Sequence, residues 1–174
     1  TNMPNLIFQT ICEDNDLAQI DLSNSQFTIL SHILKDKVHC PDFRYHAERG
    51  TLYDDVAERR GIPRKQAKIG FFETLFSSDR YTSPEKKELE ILYPEVMQWI
   101  SNYKKEHGDK QFVNMLQKKE SEIFIDGILP RILEKMDFCL TKHDSVIVRK
   151  KDEKLARQII NDYFCEIDFK GNIE

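Results

Sequence analysis

Residues 137–150 read DFCLTKHDSVIVRK. Apolar and polar side chains alternate on both sides of the pair His143-Asp144, with Phe138 and Leu140 before it and Val146 and Val148 after it. Alternation of period two is strand spacing, and a polar pair between two such runs predicts a hairpin with a tight junction. Near the other end, LAQIDLSNSQFTILSHIL (17–34) reads as a short strand ending at Asp21 and then a helix starting near Ser23. Each stretch therefore places an aspartate at a strand end. Two carboxylates brought together there repel unless cations lie between them, and oxygen-rich sites suit Mg²⁺. Taken singly, an aspartate at a strand end is more often a turn or helix-cap residue. The expected fold is α+β: a small antiparallel sheet carrying both aspartates, packed with helices.

A third stretch, PRKQAKIGFFETLFS (63–77), places Arg64, Lys68, Phe72 and Phe76 every fourth residue. On a helix, steps of four drift by only about 40° each, so these side chains share one slowly turning face, cations first and aromatic rings after. Pro63 stands where a first helical position is expected, so the basic end coincides with a helix start and its free N–H groups. Such a face suits phosphates at one end and a sugar and base further along. Four-residue spacing is also common in ordinary amphipathic helices.

The order strand-Asp, basic-aromatic helix, hairpin-His-Asp resembles the family A DNA polymerases, the bacterial DNA polymerase I type. Asp21-Leu22-Ser23-Asn24-Ser25-Gln26 with Ser31-His32 is similar to the family's first motif, D-Y-S-Q-I-E followed by a hydrophobic run and A-H. Arg64-x-x-x-Lys68-x-x-x-Phe72-x-x-x-Phe76-Ser77 looks like the second, R-x-x-x-K-x-x-x-F-x-x-x-Y-G, and His143-Asp144-Ser145 looks like the third, H-D-E. Met3-Pro4-Asn5-Leu6 resembles a loop before the first motif, and Leu92-Tyr93-Pro94-Glu95-Val96 a Tyr-Pro helix break after the second. Asn114 and Gln117 resemble the Asn/Gln pair before the third. The sequence departs from the pattern at Gln26 (Glu in the family), Phe76-Ser77 (Tyr-Gly), Lys118 (Gly) and Ser145 (Glu). Both aspartates remain, so the departures bear on nucleotide selection and primer alignment more than on catalysis.

The resemblance implies two-metal nucleotidyl transfer to a primer 3′-hydroxyl. Asp21, Asp144 and the backbone carbonyl of Leu22 would hold two Mg²⁺ ions. Lys68 and Arg64 would neutralise phosphate oxygens of a deoxynucleoside triphosphate, with Lys68 acting in catalysis beside the two aspartates. Phe72 would stack on the incoming sugar and base, and Gln26 would exclude a ribose 2′-hydroxyl. Phe76, His143, Gln117 and Asn114 would contact primer-template DNA. The family's division makes residues 1–37 a first part of the palm, 38–108 a reduced helical fingers subdomain and 109–174 the rest of the palm. Neither a thumb nor an upstream exonuclease-type domain fits before Asp21, which implies either a catalytic-domain piece of a larger polypeptide, weak or inactive alone, or an unusually reduced member of the family. Two rival readings are a single-subunit RNA polymerase, similar at Asp21-x-Ser23-x-Ser25 and at His143-Asp144-Ser145, and a non-catalytic nucleic-acid-binding relic of the same fold. A bulky Gln26 and the Phe type at position 72 favour DNA synthesis, and two retained aspartates favour catalysis.

Composition is compatible with this reading but does not suggest it. A chain of 174 residues is long enough for one core or two small lobes. Its formal charge of -4 is unusual for a nucleic-acid binder. The charge is uneven, however: Arg59, Arg60, Arg64, Lys65 and Lys68 crowd one stretch, and Arg149-Lys150-Lys151 follows the hairpin. Cys12, Cys40, Cys139 and Cys165 form no C-x-x-C pair and do not group with histidines at zinc-ligand spacing. No apolar run is long enough for a bilayer, and a reduced, cytoplasmic protein without membrane contact is expected. Along the chain, residues up to about Asp16 read as an irregular lead-in and His39–Gly50 as a polar loop. Helices are expected from Leu52 to a glycine stop at Gly61, from Pro84 with a break at Pro94, and from Gln111 to Met136 with disturbances at Gly127 and Pro130. A last helix, Asp152–Phe164, shows Leu155, Ile159, Ile160 and Phe164 on one side.

Overall fold

Three strands form an antiparallel sheet in the order β1-β3-β2, with β1 at Leu17–Asp21, β2 at Leu140–Lys142 and β3 at Ser145–Arg149. The structure, a computed structural model, describes Cys12 and residues 15–174. The Met3-Pro4-Asn5-Leu6 segment and most of the expected lead-in lie outside the described residues. Strand β3 is central, and Ser145, Val146, Ile147 and Val148 are all buried, so the run SVIV reads as a strand covered on both faces. The hairpin junction is His143-Asp144, and His143 takes a φ of 54°. A positive φ at the first central residue is what a two-residue hairpin loop needs to match strand twist. Leu140, expected on the apolar face, is 52 % exposed. It sits on a three-residue edge strand, too short to bury a face.

Helix α9 (Glu153–Glu166, numbered in the chain order given below) packs on β1 and β3. Its buried stripe is Ala156, Ile160 and Phe164, spaced by four, and Phe164 meets Phe169 with ring centroids 4.7 Å apart. Leu155, expected inside, is 44 % exposed. The small Ala156 takes the inward position because it allows the helix close to the sheet. On its other side β1 pairs with residues 172–174: Asp21 N–H donates to the Glu174 carbonyl (3.1 Å) and Glu174 N–H to the Asp21 carbonyl (2.9 Å).

Between the first and second strands the chain is helical: α1 Ser25–Leu34, α2 Pro41–Arg49, α3 Leu52–Arg60, α4 Arg64–Phe76, α5 Pro84–Leu92, α6 Pro94–His107, α7 Asp109–Ser121 and α8 Leu129–Leu133. Helix α2 lies where a polar loop was expected. It buries only Phe43 and Ala47, four residues apart, begins with Pro41 and ends at Gly50 with φ 77°. Those are start and stop signals that outweigh a polar composition. Phe27 of α1 gathers Phe43, Tyr53 and Phe71 edge-on at 6.3, 6.0 and 5.3 Å, and this aromatic cluster is the core of the helical part. Ser83 caps α5 by accepting from the Lys86 N–H at 3.0 Å, and Pro94 separates α5 from α6 as its missing N–H requires. The long helix expected to be disturbed is interrupted by a π-helical stretch, Glu122–Ile128, between α7 and α8. Gly127 lies there against the Tyr163 ring, which leaves no room for a Cβ.

Two compact units emerge: the described residues up to Ser23 with Glu120–Glu174, and Asn24–Lys119. The first holds the sheet, the π-helical stretch and α9; the second holds the aromatic core. Among the described residues no helix is long and apolar enough to cross a membrane.

Candidate active site

Strand register builds the site in the sheet unit. Asp21 stands opposite Ser145, Gln19 opposite Ile147, and Lys142 opposite Ser145. Directly opposed residues share a face, as do residues two apart on one strand, so Gln19, Asp21, Lys142 and Ser145 project from the same side. Gln19 Nε2 donates to Asp21 Oδ1 at 2.7 Å and to Ser145 Oγ at 3.2 Å, while Ser145 Oγ donates to the Lys142 carbonyl at 2.8 Å. Asp144 is bound to the same strand through its backbone, its carbonyl accepting from Leu22 N–H at 3.1 Å. Partial burial holds the Asp21 carboxyl above its ordinary pKa of 3.8, and the charge of Asp144 pushes it the same way. Opposing this are the Gln19 hydrogen bond, the Ser145 hydroxyl and the Lys142 ammonium. The ionised form of Asp21 is thus disfavoured, by burial first and by the charge of Asp144 second.

Beyond Asp21 the chain adds Ser23, whose hydroxyl donates to the Glu174 carboxylate and whose N–H donates to the Asn172 carbonyl at 2.8 Å. His143 is exposed at the hairpin tip, and Leu22 is buried with its amide committed to Asp144. Among the described residues no three histidine, cysteine or carboxylate side chains form a ready-made metal cage. Two carboxylates and a nearby carbonyl are nonetheless the donor set with which Mg²⁺ completes its shell from water and phosphate oxygens.

In the helical unit, α4 buries Ala67, Gly70, Phe71, Thr74 and Leu75, so the stripe at Arg64, Lys68, Phe72 and Phe76 lies off the packed face. Phe72 and Phe76 stack on each other with centroids 5.6 Å apart and planes 13° from parallel. Lys68 Nζ stands 5.9 Å from the Phe72 centroid. Arg64 Nε donates to Asp54 at 2.8 Å, and its guanidinium lies 5.5 Å from the buried Tyr53 ring. Pro63 precedes the first helical residue by one position, leaving Arg64 as the opening residue. Gly70 admits the Glu85 side chain of α5 against α4, and Glu85 receives a hydrogen bond from Arg60 that ties α5 to α3. Gln26, in the first turn of α1, is 7 % exposed. Asn114 and Gln117 are exposed on α7, one helical turn apart.

Gln19, Lys142 and Glu174 were not expected at the site. Gln19 was legible, since period two from Asp21 puts it on the same face. Glu174 was not, because its pairing spans most of the chain. No protein-family model matches this chain, and no curated protein matches it.

Proposed function

We propose that the chain carries the catalytic centre of a template-directed DNA polymerase, its sheet unit acting as palm and its helical unit as fingers. The observation that supports this most is the β1–β3 register, which sets Asp21 against the hairpin and joins Leu22 to Asp144. Asp21 at the end of β1, its ionised form disfavoured by burial and by Asp144 at the hairpin junction, forms with it a site that favours divalent cations. The donor set fits Mg²⁺, which when bound would lower the pKa of a primer 3′-hydroxyl and offset phosphate charge.

The chain's own residues supply the rest. Asp21 and Asp144 stand at one end of the sheet, where the hairpin turns. Gln19 orients the Asp21 carboxylate by a hydrogen bond to Oδ1. Lys68, exposed beside Phe72, neutralises a phosphate oxygen of the deoxynucleoside triphosphate, and Phe72 presents its ring to the sugar and base. Phe76, already stacked on Phe72, extends that platform toward a templating base. Arg64 reaches phosphate only by sharing with or leaving Asp54, so its contribution is smaller than that of Lys68. Gln26 supplies side-chain bulk against a ribose 2′-hydroxyl. His143, Asn114 and Gln117 contact primer-template.

The test pairs two measurements on the full chain. Mn²⁺ titration followed by electron paramagnetic resonance reads cation binding, and extension of a hairpin primer reads turnover. Asp21→Asn and Asp144→Asn are each expected to weaken Mn²⁺ binding and to remove any extension, with circular dichroism unchanged. Folded variants that bind Mn²⁺ like the parent would end this reading.

A further inference from the structure

Eight residues of the segment that joins α1 to α2 and opens α2 line an open cavity of about 370 Å³. Its wall carries Lys35, Lys37, His39 and Arg44, against the single carboxylate of Asp36. All belong to the helical unit, and none serves the polymerase reading. A volume of this size lies in the range of small-ligand sites and has room for a phosphate group with its water.

Three features of the cavity call for an anion. The first is the charge balance of its wall, three permanent cations and an imidazole to one carboxylate. The second is Arg44. Its Nε–H is buried without a hydrogen-bond partner, and the nearest carboxylate, on Glu48, is 3.5 Å away, an ion pair but not a hydrogen bond. The Arg44 side chain as a whole is 33 % exposed, but a buried N–H left unmade is costly, and an oxyanion that reached it would remove that cost. The third is the start of α2. Cys40 occupies the N-cap without a side-chain cap, so the first-turn amides have no side-chain acceptor, and the helix dipole adds positive potential there. Burial raises the Cys40 thiol above its ordinary 9.0, so at neutral pH it stays protonated and does not supply the negative charge. Other groups act in the opposite direction: Glu48 beside Arg44, exposed Asp42 in the first turn, and the charge of Glu95 felt at Cys40. Lys37 also has its ammonium over the Trp99 ring, 5.6 Å from the centroid.

We propose that this cavity is a binding site for a phosphoryl oxyanion, with Arg44 as the principal donor and Lys35 and Lys37 as flanking charges. The same chemistry is offered by free phosphate or pyrophosphate and by a backbone phosphate of a nucleic acid.

Amide chemical-shift titration of the full chain separates these sources, using sodium phosphate, sodium pyrophosphate and a short single-stranded DNA as three probes. Saturable shifts concentrated at residues 35–44 are expected from at least one probe. A response to the inorganic anions identifies a free-anion site, and a response to the oligonucleotide alone identifies a backbone-phosphate site. Arg44→Gln should weaken the responding probe by about tenfold, the scale of one charge-assisted hydrogen bond. Lys35→Gln gives a second reading if Arg44→Gln does not fold, and Lys154→Gln on α9 should change nothing. No saturable response from any probe would overturn the proposal, as would unchanged affinity in folded Arg44→Gln and Lys35→Gln.

Discussion

Asp21 shows how one carboxylate can work against the fold that holds it. Its pKa is raised above 3.8, first by burial and then by Asp144, so folding disfavours its ionised form. A carboxyl raised in the folded state costs stability at pH above its folded pKa. That cost is relieved as pH falls through the folded pKa toward the unfolded one. Asp21→Asn keeps an oxygen for the Gln19 donor and removes the charge, so it should melt higher than the parent at about pH 7, with the difference closing in acid. Added Mg²⁺ should reverse the order by raising the parent's Tm and leaving the variant's unchanged. Thermal melts with and without the cation check both parts, and a parent that melts higher without cation would refute the account of Asp21. Gln26 carries a separate expectation: Gln26→Gly should raise ribonucleotide use relative to deoxyribonucleotide use in primer extension, and an unchanged ratio would put the gate elsewhere. At this scale the two aspartates and the α4 stripe were legible because period two and period four each fix a face. Glu174 and Lys142 were hidden because only the register brings them to Asp21.

Helix α4 has no glycine at its C-terminal end; Ser77 is extended there, and a lysine from α6 does the capping. Lys104 is 5 % exposed, donates to the Leu75 and Ser77 carbonyls at 2.9 and 2.8 Å, with the Thr74 carbonyl at 3.4 Å, and lies 5.1 Å from the Phe112 ring. Terminal carbonyls of a buried helix end need such partners, and a cation suits the negative end of the dipole. Burial lowers the Lys104 pKa below 10.5, so at alkaline pH the unfolded chain holds its proton longer than the folded one. Stability from this group therefore rises with pH between the folded pKa and 10.5. Lys104→Met removes a buried charge but strands the carbonyls, and the second effect should win, at a cost of about 1–3 kcal/mol. Urea denaturation measures it, and the variant should also lack the alkaline rise. Phe76 closes α4, so this cap also sets where the aromatic platform ends. Capping of this kind joins residues nearly thirty apart and leaves no mark on local pattern. The Ser83 cap and the Pro94 break, written within four residues, were legible. Helix α2 was misread because its signals, Pro41, the Phe43–Ala47 step and Gly50, sit within a polar composition.

Whole-chain charge conceals a division between the two compact units. Asn24–Lys119 contains 17 lysines and arginines against 14 carboxylates, a net of +3, and the remainder contains 9 against 16, a net of -7, together the -4 of the chain. A polyanion should therefore meet the helical unit first, while the sheet unit, which carries Asp21 and Asp144, repels it unless divalent cations intervene. Two consequences follow for primer-template DNA. Binding should be weak at moderate salt, because a net of +3 gives little non-specific attraction, and Mg²⁺ should strengthen it more than its ionic strength alone would weaken it. The salt dependence should also belong to identifiable residues. Each phosphate contact contributes about 0.9 to the slope of log affinity against log salt on duplex DNA. If Lys68 contacts phosphate, Lys68→Gln should flatten the slope by about that much. Arg64→Gln should flatten it less, since its guanidinium is already shared with Asp54. Lys154→Gln, on α9 of the acidic unit, should leave it unchanged. Fluorescence anisotropy with a labelled hairpin primer across a salt series, with and without Mg²⁺, reads all of these. Equal slopes for the Lys68, Arg64 and Lys154 variants would mean that the stripe on α4 is not where the duplex is held, and would leave the polymerase reading without its phosphate contacts.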